Sequence, residues 1–138
     1  MLAIYTAGAM TTHYINNEPE KAEKWRLKVS DAFYNKDIKV FNPCINYSIN
    51  KTYESKGVVY QNIHYLERSD IIILNLDELE ESPGTLFELY YFFLHQKPVI
   101  AFGCNEIYNQ PHIHESITIR FDTLNESIQY IKNMYHLK

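Results

Sequence analysis

The run Asp70 to Leu76 (DIIILNL) constrains the fold more than any other stretch of the chain. A β-branched run with no polar alternation marks a strand covered on both faces, the signature of a parallel sheet flanked by helices. Leu2 to Ala7 (LAIYTA) and Pro98 to Phe102 (PVIAF) read the same way, and Ile38 to Phe41 (IKVF) is a shorter strand closed by Asn42-Pro43. Between them lie segments with helical spacing. Glu18 to Tyr34 carries Pro19 in its first turn, where a missing N–H costs nothing, and places Ala22, Trp25, Val29, Ala32 and Phe33 on one side. Val58 to Arg68 aligns Val59, Ile63 and Leu66, and Gly84 to His95 forms a third helix. Thr123 to Tyr135 closes the chain as a helix, with Thr123 and Glu126 at capping-box spacing. Ser116 to Phe121 alternates like an edge strand. Met10–Asn17, Cys44–Lys56, Asp77–Pro83 and Gly103–Glu115 read as loops.

Strands alternating with helices predict one doubly wound, flavodoxin-like (Rossmann-like) α/β domain over residues 1–138, with a five-stranded parallel sheet in the order 2-1-3-4-5. Ligands bind such sheets at the carboxyl ends of the strands, beside the switch point between the first and third. That rule selects Gly8–His13, Asn42–Tyr47, Asn75–Glu88 and Gly103–His114.

A net charge of −4 argues against nucleic acid as the partner. No apolar stretch reaches the ~20 residues of a membrane span. Two cysteines, Cys44 and Cys104, are too few to staple a fold, so free thiols and a cytoplasmic setting are expected. Neither G-x-G-x-x-G nor G-x-x-x-x-G-K-[ST] occurs, which disfavours dinucleotide binding and P-loop chemistry.

Glu88, one turn into the helix that follows Ser82-Pro83-Gly84-Thr85, lies near that helix's positive end, where a carboxylate is favoured. Such a group serves as a nucleophile or simply stabilises the helix. Gly8, at the end of the first strand, allows a close backbone approach or makes a plain turn. His112 and His114, with Glu115, Cys104 and Glu106 nearby, would share a face on a strand, but their spacing fits no zinc signature, and no metal is expected. Asp70, at the start of its strand, reads as structural, and Asp77, Glu78, Glu80 and Glu81 read as a solvated acidic loop.

Four segments taken in order, IYTAGAM, SDIIILNL, SPGTLFE and HQKPVIAF, resemble the nucleoside 2-deoxyribosyltransferase family and its nucleoside 5′-monophosphate N-glycosidase relatives. The resemblance spans roughly residues 1–103. It implies that Glu88 attacks the anomeric carbon to form a glycosyl-enzyme, that Tyr5 orients Glu88, and that Gly8 accommodates the nucleoside, with no cofactor. It also implies that position 82 separates the branches. Asp there meets the sugar of free nucleosides, whereas Ser82, beside Gly84, resembles a seat for a 5′-phosphate. The plainer reading of Ser82 is an N-cap. Where the family commonly has an Asp beside the leaving base, this chain has Asn62, which hydrogen-bonds a base edge but delivers no proton; His64 nearby points elsewhere on its helix. The segment after the fourth strand reaches a neighbouring subunit's site in family members, making Asn109, His112 and Ser116 candidate contacts in trans.

The resulting expectation is hydrolysis of a nucleoside 5′-monophosphate to base and sugar phosphate. The alternatives are base exchange through the same nucleophile, and a nucleotide-binding module weakened by Asn62. Leu89 to Leu94 (LYYFFL) is apolar around the whole helix, which predicts a homodimer or larger even homo-oligomer; cover by the C-terminal helix is the other solution.

Overall fold

The computed structural model describes residues 1–34, 37–46 and 54–137. Five strands, β1 (Leu2–Ala7), β2 (Ile38–Phe41), β3 (Ile71–Asn75), β4 (Val99–Phe102) and β5 (Ile119–Phe121), form one sheet in the order β2-β1-β3-β4-β5. All four pairings are parallel. The expected order is therefore the one observed.

β3 shows why its sequence has no polar alternation. Every residue from Ile71 to Asn75 is buried. Ile71 and Ile73 pack with Ile4, Trp25, Val29 and Ile131, while Ile72 and Leu74 pack with Tyr5, Leu66, Leu89 and Phe92. The strand's period of two thus feeds two separate cores. The first includes residues of α2 (Glu20–Ala32) and α6 (Leu124–Met134), and the second residues of α3 (Ser55–Arg68) and α4 (Pro83–Leu94).

Local signals explain the element ends. The Thr123 side chain accepts from Glu126 N–H, and the Glu126 carboxylate accepts from Thr123 N–H, the reciprocal capping box its spacing predicts. Asp70 is structural: its carboxylate accepts from Ala3 N–H at 2.8 Å and its own N–H donates to the Ala3 carbonyl. Lys97, of the QKPV segment, donates to the carbonyls of Leu66, Glu67 and Ser69 at 2.9–3.0 Å, closing the carboxyl end of α3. There it satisfies orphan acceptors and complements the helix dipole.

Several expected boundaries differ. Met10–Asn17 contains a short helix, α1 (Thr11–Ile15), and α3 begins at Ser55, ahead of its first apolar residue. The stretch after β4 holds a 3-10 turn, Glu106–Asn109, and helix α5 (Pro111–Ser116), so β5 starts only at Ile119. Asn105 and Gln110 start these turns by accepting from Ile107 and Ile113 N–H, and Pro111 sits in the first turn of α5. On a helix, His112 and His114 do not share a face, which removes the strand geometry considered for them. Among the described residues no group of His, Cys, Asp or Glu is arranged to hold a metal ion. No helix among them is long and apolar enough to cross a membrane. Cys44 is buried and Cys104 exposed, both as free thiols. Most of the Tyr-rich loop expected at 44–56, residues 47–53, lies outside the described residues.

Candidate active site

The chain leaves β1 toward β2 on one side and returns to β3 on the other, so a crevice opens between the carboxyl ends of β1 and β3. Tyr5 and Ala7 point from β1 into the core shared with α3 and α4. At the strand's end Gly8 is hemmed in: a Cβ there would lie 2.9 Å from the Trp25 ring and 3.1 Å from Asn75 Cβ. Close packing therefore demands the glycine at the point where the chain turns from β1 toward α1.

Beside this turn lies a cavity of about 530 Å3. Tyr5 and Gly8 contribute from β1 and its end, and Met10, Thr11, Thr12 and Ile15 from α1 and the residue before it. Val58, Gln61 and Asn62 line it from α3, and the stretch Glu81 to Thr85 with Glu88 from the start of α4. Glu88 is only 8% exposed, yet it lines this cavity. The Tyr5 hydroxyl donates a hydrogen bond to its carboxylate.

Burial pushes the Glu88 carboxyl up to about 7, against the lowering effects of the Tyr5 hydrogen bond and the Arg26 charge. Burial, reinforced by the neighbouring Glu88, holds the Tyr5 phenol well above its usual range. Tyr5 therefore stays a donor, and Glu88 is a partly ionised carboxylate facing a cavity of a nucleotide's scale. A carboxylate with those properties can attack an electrophilic carbon or stabilise a developing positive charge.

Ser82 occupies the N-cap position of α4, but its side chain caps no backbone N–H; its hydroxyl pairs with that of Thr85 at 2.6 Å. The first turn of α4, with Pro83 at its start, thus has no side-chain cap among the described residues. Orphan N–H groups in such a turn bind anions readily. At Gly84 an added Cβ would meet nothing within 4 Å, so this turn is open. Glu81, also on the cavity wall, accepts from the Thr12 hydroxyl at 3.0 Å.

Tyr5, Gly8, Asn62, Ser82, Gly84 and Glu88 therefore surround one cavity. Ser116 does not join them within the chain; it is buried on α5, its hydroxyl donating to the His112 carbonyl at 2.6 Å. His112 faces Gln110, and His114 packs on Tyr108. His64 does not line the cavity. Thr12 and Thr85, on the cavity wall, fall within the strand-end segments selected from the sequence, whereas Gln61 was missed, since an isolated polar residue on a helix carries no spacing signal. A second cleft, of about 560 Å3, lies between Lys21, Lys24 and Lys28 of α2 and the acidic Asp77, Glu78 and Glu80; neither Tyr5 nor Glu88 lines it.

Fold and cavity together define a doubly wound α/β domain with a buried tyrosine–carboxylate pair at its switch point. The family described as "Nucleoside 2-deoxyribosyltransferase like" matches residues 1–106, and the chain belongs to that family. No curated protein matches. Among solved structures, a conserved protein from Enterococcus faecalis V583 is similar in fold, with a TM-score of 0.71 and 16% identity over 97% of this chain and 99% of that one. A 2-deoxyribosyltransferase from Bacillus psychrosaccharolyticus superposes with a TM-score of 0.62 and 21% identity, covering 93% of this chain and 91% of that one.

Proposed function

We propose that this protein cleaves the N-glycosidic bond of a nucleoside 5′-monophosphate, with Glu88 as the nucleophile. The observation that carries the reading is the Tyr5–Glu88 pair, buried yet open to a nucleotide-sized cavity. In the proposed reaction a Glu88 carboxylate oxygen bonds to the anomeric carbon as the carbon–nitrogen bond breaks. The base departs with the electron pair and takes a proton from solvent, because Asn62 has none to give. Water then attacks the anomeric carbon of the glycosyl ester and gives up a proton to solvent, freeing the sugar phosphate and restoring the carboxylate. Each transition state carries oxocarbenium character, which the adjacent carboxylate stabilises.

Ser82, Gly84 and Thr85 form the phosphate seat in this reading. Support comes from the absence of an acidic side chain at position 82 and of a side-chain cap on the first turn of α4. A phosphate seated there would meet helix N–H groups and two hydroxyls.

The active unit is proposed to be a homodimer or larger even assembly. Leu89 and Phe92 face the core, but Phe93 is 48% and Leu94 75% exposed. α6 packs on the opposite face of the sheet and does not cover them. In such an assembly Asn109, His112 and Ser116 would approach the partner's cavity.

The test is a panel of nucleosides and their 5′-monophosphates, each incubated with the protein with and without a foreign free base, and read by chromatography. Free base from monophosphates alone supports the proposal. A new nucleoside containing the foreign base would indicate base exchange instead. Tight binding of a nucleotide with no base release would indicate a binding module.

A further inference from the structure

Arg26 is the largest side chain fully removed from solvent. It reaches from α2 to the carboxyl end of β1, on the face of the sheet opposite α4. Its Nη2 donates to the Gly8 carbonyl at 2.9 Å, its Nε to the Thr6 carbonyl at 3.4 Å, and its Nη1 to the Ala22 carbonyl. Its guanidinium also lies 4.6 Å from the centre of the Trp25 ring. No carboxylate among the described residues forms an ion pair with it. A guanidinium keeps its proton even when burial works against the charge. Burying a charge with no opposite charge beside it is costly, and backbone carbonyls compensate it only in part.

Burial lowers the affinity of Arg26 for a proton, and the titratable groups that act against this are the Cys44 thiol, Glu88 and Tyr5 of the candidate site, and the Tyr14 phenol. Tyr5 donates to Glu88 on the face of the sheet that carries α4, and Arg26 grips the end of the same strand from the face that carries α2; its charge lowers the Glu88 carboxyl against the larger effect of burial. The carbonyls gripped by Arg26, those of Thr6 and Gly8, flank Ala7 and follow directly on Tyr5, at the end of β1 that borders the cavity.

We infer that Arg26 is the positioning residue of this site, holding the end of β1 from Thr6 to Gly8 in place and supplying a fixed positive charge to Glu88 across that strand. The inference rests on the proposed role of Glu88. That charge opposes the desolvation that would leave the nucleophile protonated and unreactive. In the second half of the reaction it also stabilises the carboxylate leaving the sugar. A guanidinium suits the task better than an ammonium, because its fork meets two carbonyls at once while its charge is delocalised.

The test compares Arg26→Gln, which removes the charge but still donates to a carbonyl, with Arg26→Lys, which keeps the charge. The readouts are the Glu88 carboxyl titration, followed by carbon-13 NMR and assigned with Glu88→Gln, and the pH profile of kcat/KM. The Gln variant should titrate about one pH unit above wild type. Its kcat/KM should fall about tenfold at pH 6 and recover by pH 9, while the Lys variant keeps the wild-type midpoint. An unshifted titration in folded Arg26→Gln overturns the inference, since a merely structural arginine would leave Glu88 unmoved. If the Gln variant does not fold, Arg26→Met, which keeps the unbranched stem and removes the charge, is read in the same way: an upward-displaced titration supports the inference and an unshifted one overturns it. The titration is read without turnover. A shifted titration in a protein that releases no base would therefore contradict the proposed function and leave the Arg26–Glu88 coupling standing.

Discussion

The Tyr5 hydroxyl donates to the Glu88 carboxylate across 83 positions of sequence, joining the first strand to the fourth helix inside the core. Tyr5→Phe keeps the packing and removes the donor. Loss of a hydrogen bond to the ionised form raises the carboxyl further. The expected result is a kcat/KM at pH 7 lower by about one to two orders of magnitude, with the acid limb of the profile moved to higher pH. An unchanged profile would show that Tyr5 does not tune Glu88.

Glu88 also links activity to stability. Burial raises its carboxyl from 4.5 to about 7, so between those values the folded protein binds more protons than the unfolded chain. Stability from this group is fully present below pH 4.5 and is lost as pH rises through about 7. The full difference is about 3 kcal/mol. Glu88→Gln removes this penalty and still accepts from Tyr5, so it should melt higher than wild type at pH 8 and about equally at pH 4.5, while losing several orders of magnitude in turnover. Melting curves at the two pH values check the sign.

Two glycines should respond oppositely. Gly8→Ala drives a methyl into the Trp25 ring and Asn75, and should cost about 1–3 kcal/mol by denaturant unfolding. Gly84→Ala meets no atom within 4 Å and gains helix propensity, so stability should rise by up to about 1 kcal/mol. Its methyl would project into the cavity that Gly84 lines, and nucleotide binding should weaken.

Ser82→Asp tests the phosphate seat. Asp is as good a residue before a helix as Ser, so the fold should survive. A second negative charge beside the phosphate costs at least about 1 kcal/mol, a fivefold or greater loss for 5′-monophosphates. Free nucleosides should bind as before. Equal weakening of both, measured by calorimetry, would place the phosphate elsewhere.

Phe93→Lys puts a charge on the exposed face of α4 while leaving the buried Leu89 and Phe92 untouched. Light scattering should show monomers, and activity should fall with assembly. A fully active monomeric variant would remove any role for a partner copy in the site.

The sheet order and both cores were legible because β3 has no polar alternation and the helices keep their period. Asp70 was readable from its place at the start of a strand, and the Thr123–Glu126 box from its local spacing, whereas the need for Gly8 comes from Trp25 and Asn75, which no local signal reveals. What stayed hidden depends on three-dimensional meeting points. α1 and α5 are too short for periodicity to show, and their starts are set by single residues such as Gln110. His112 and His114, read as part of a loop, lie on α5 for that reason. Of the two readings of Ser82, phosphate seat or cap, the side-chain cap is not formed, because the hydroxyl turns to Thr85. Arg26 reads as one more polar residue on an amphipathic helix, and only the tertiary structure reveals it sealed under the Gly8 turn.

The central claim is a covalent bond between the sugar and Glu88. Wild-type protein mixed with a reactive 5′-monophosphate, quenched in acid within its first turnovers and digested, should yield one peptide spanning Glu88 heavier by the sugar phosphate residue, and the same peptide from Glu88→Gln should carry none. Release of free base at full rate with no adduct on that peptide, or undiminished release by Glu88→Ala, would contradict the account.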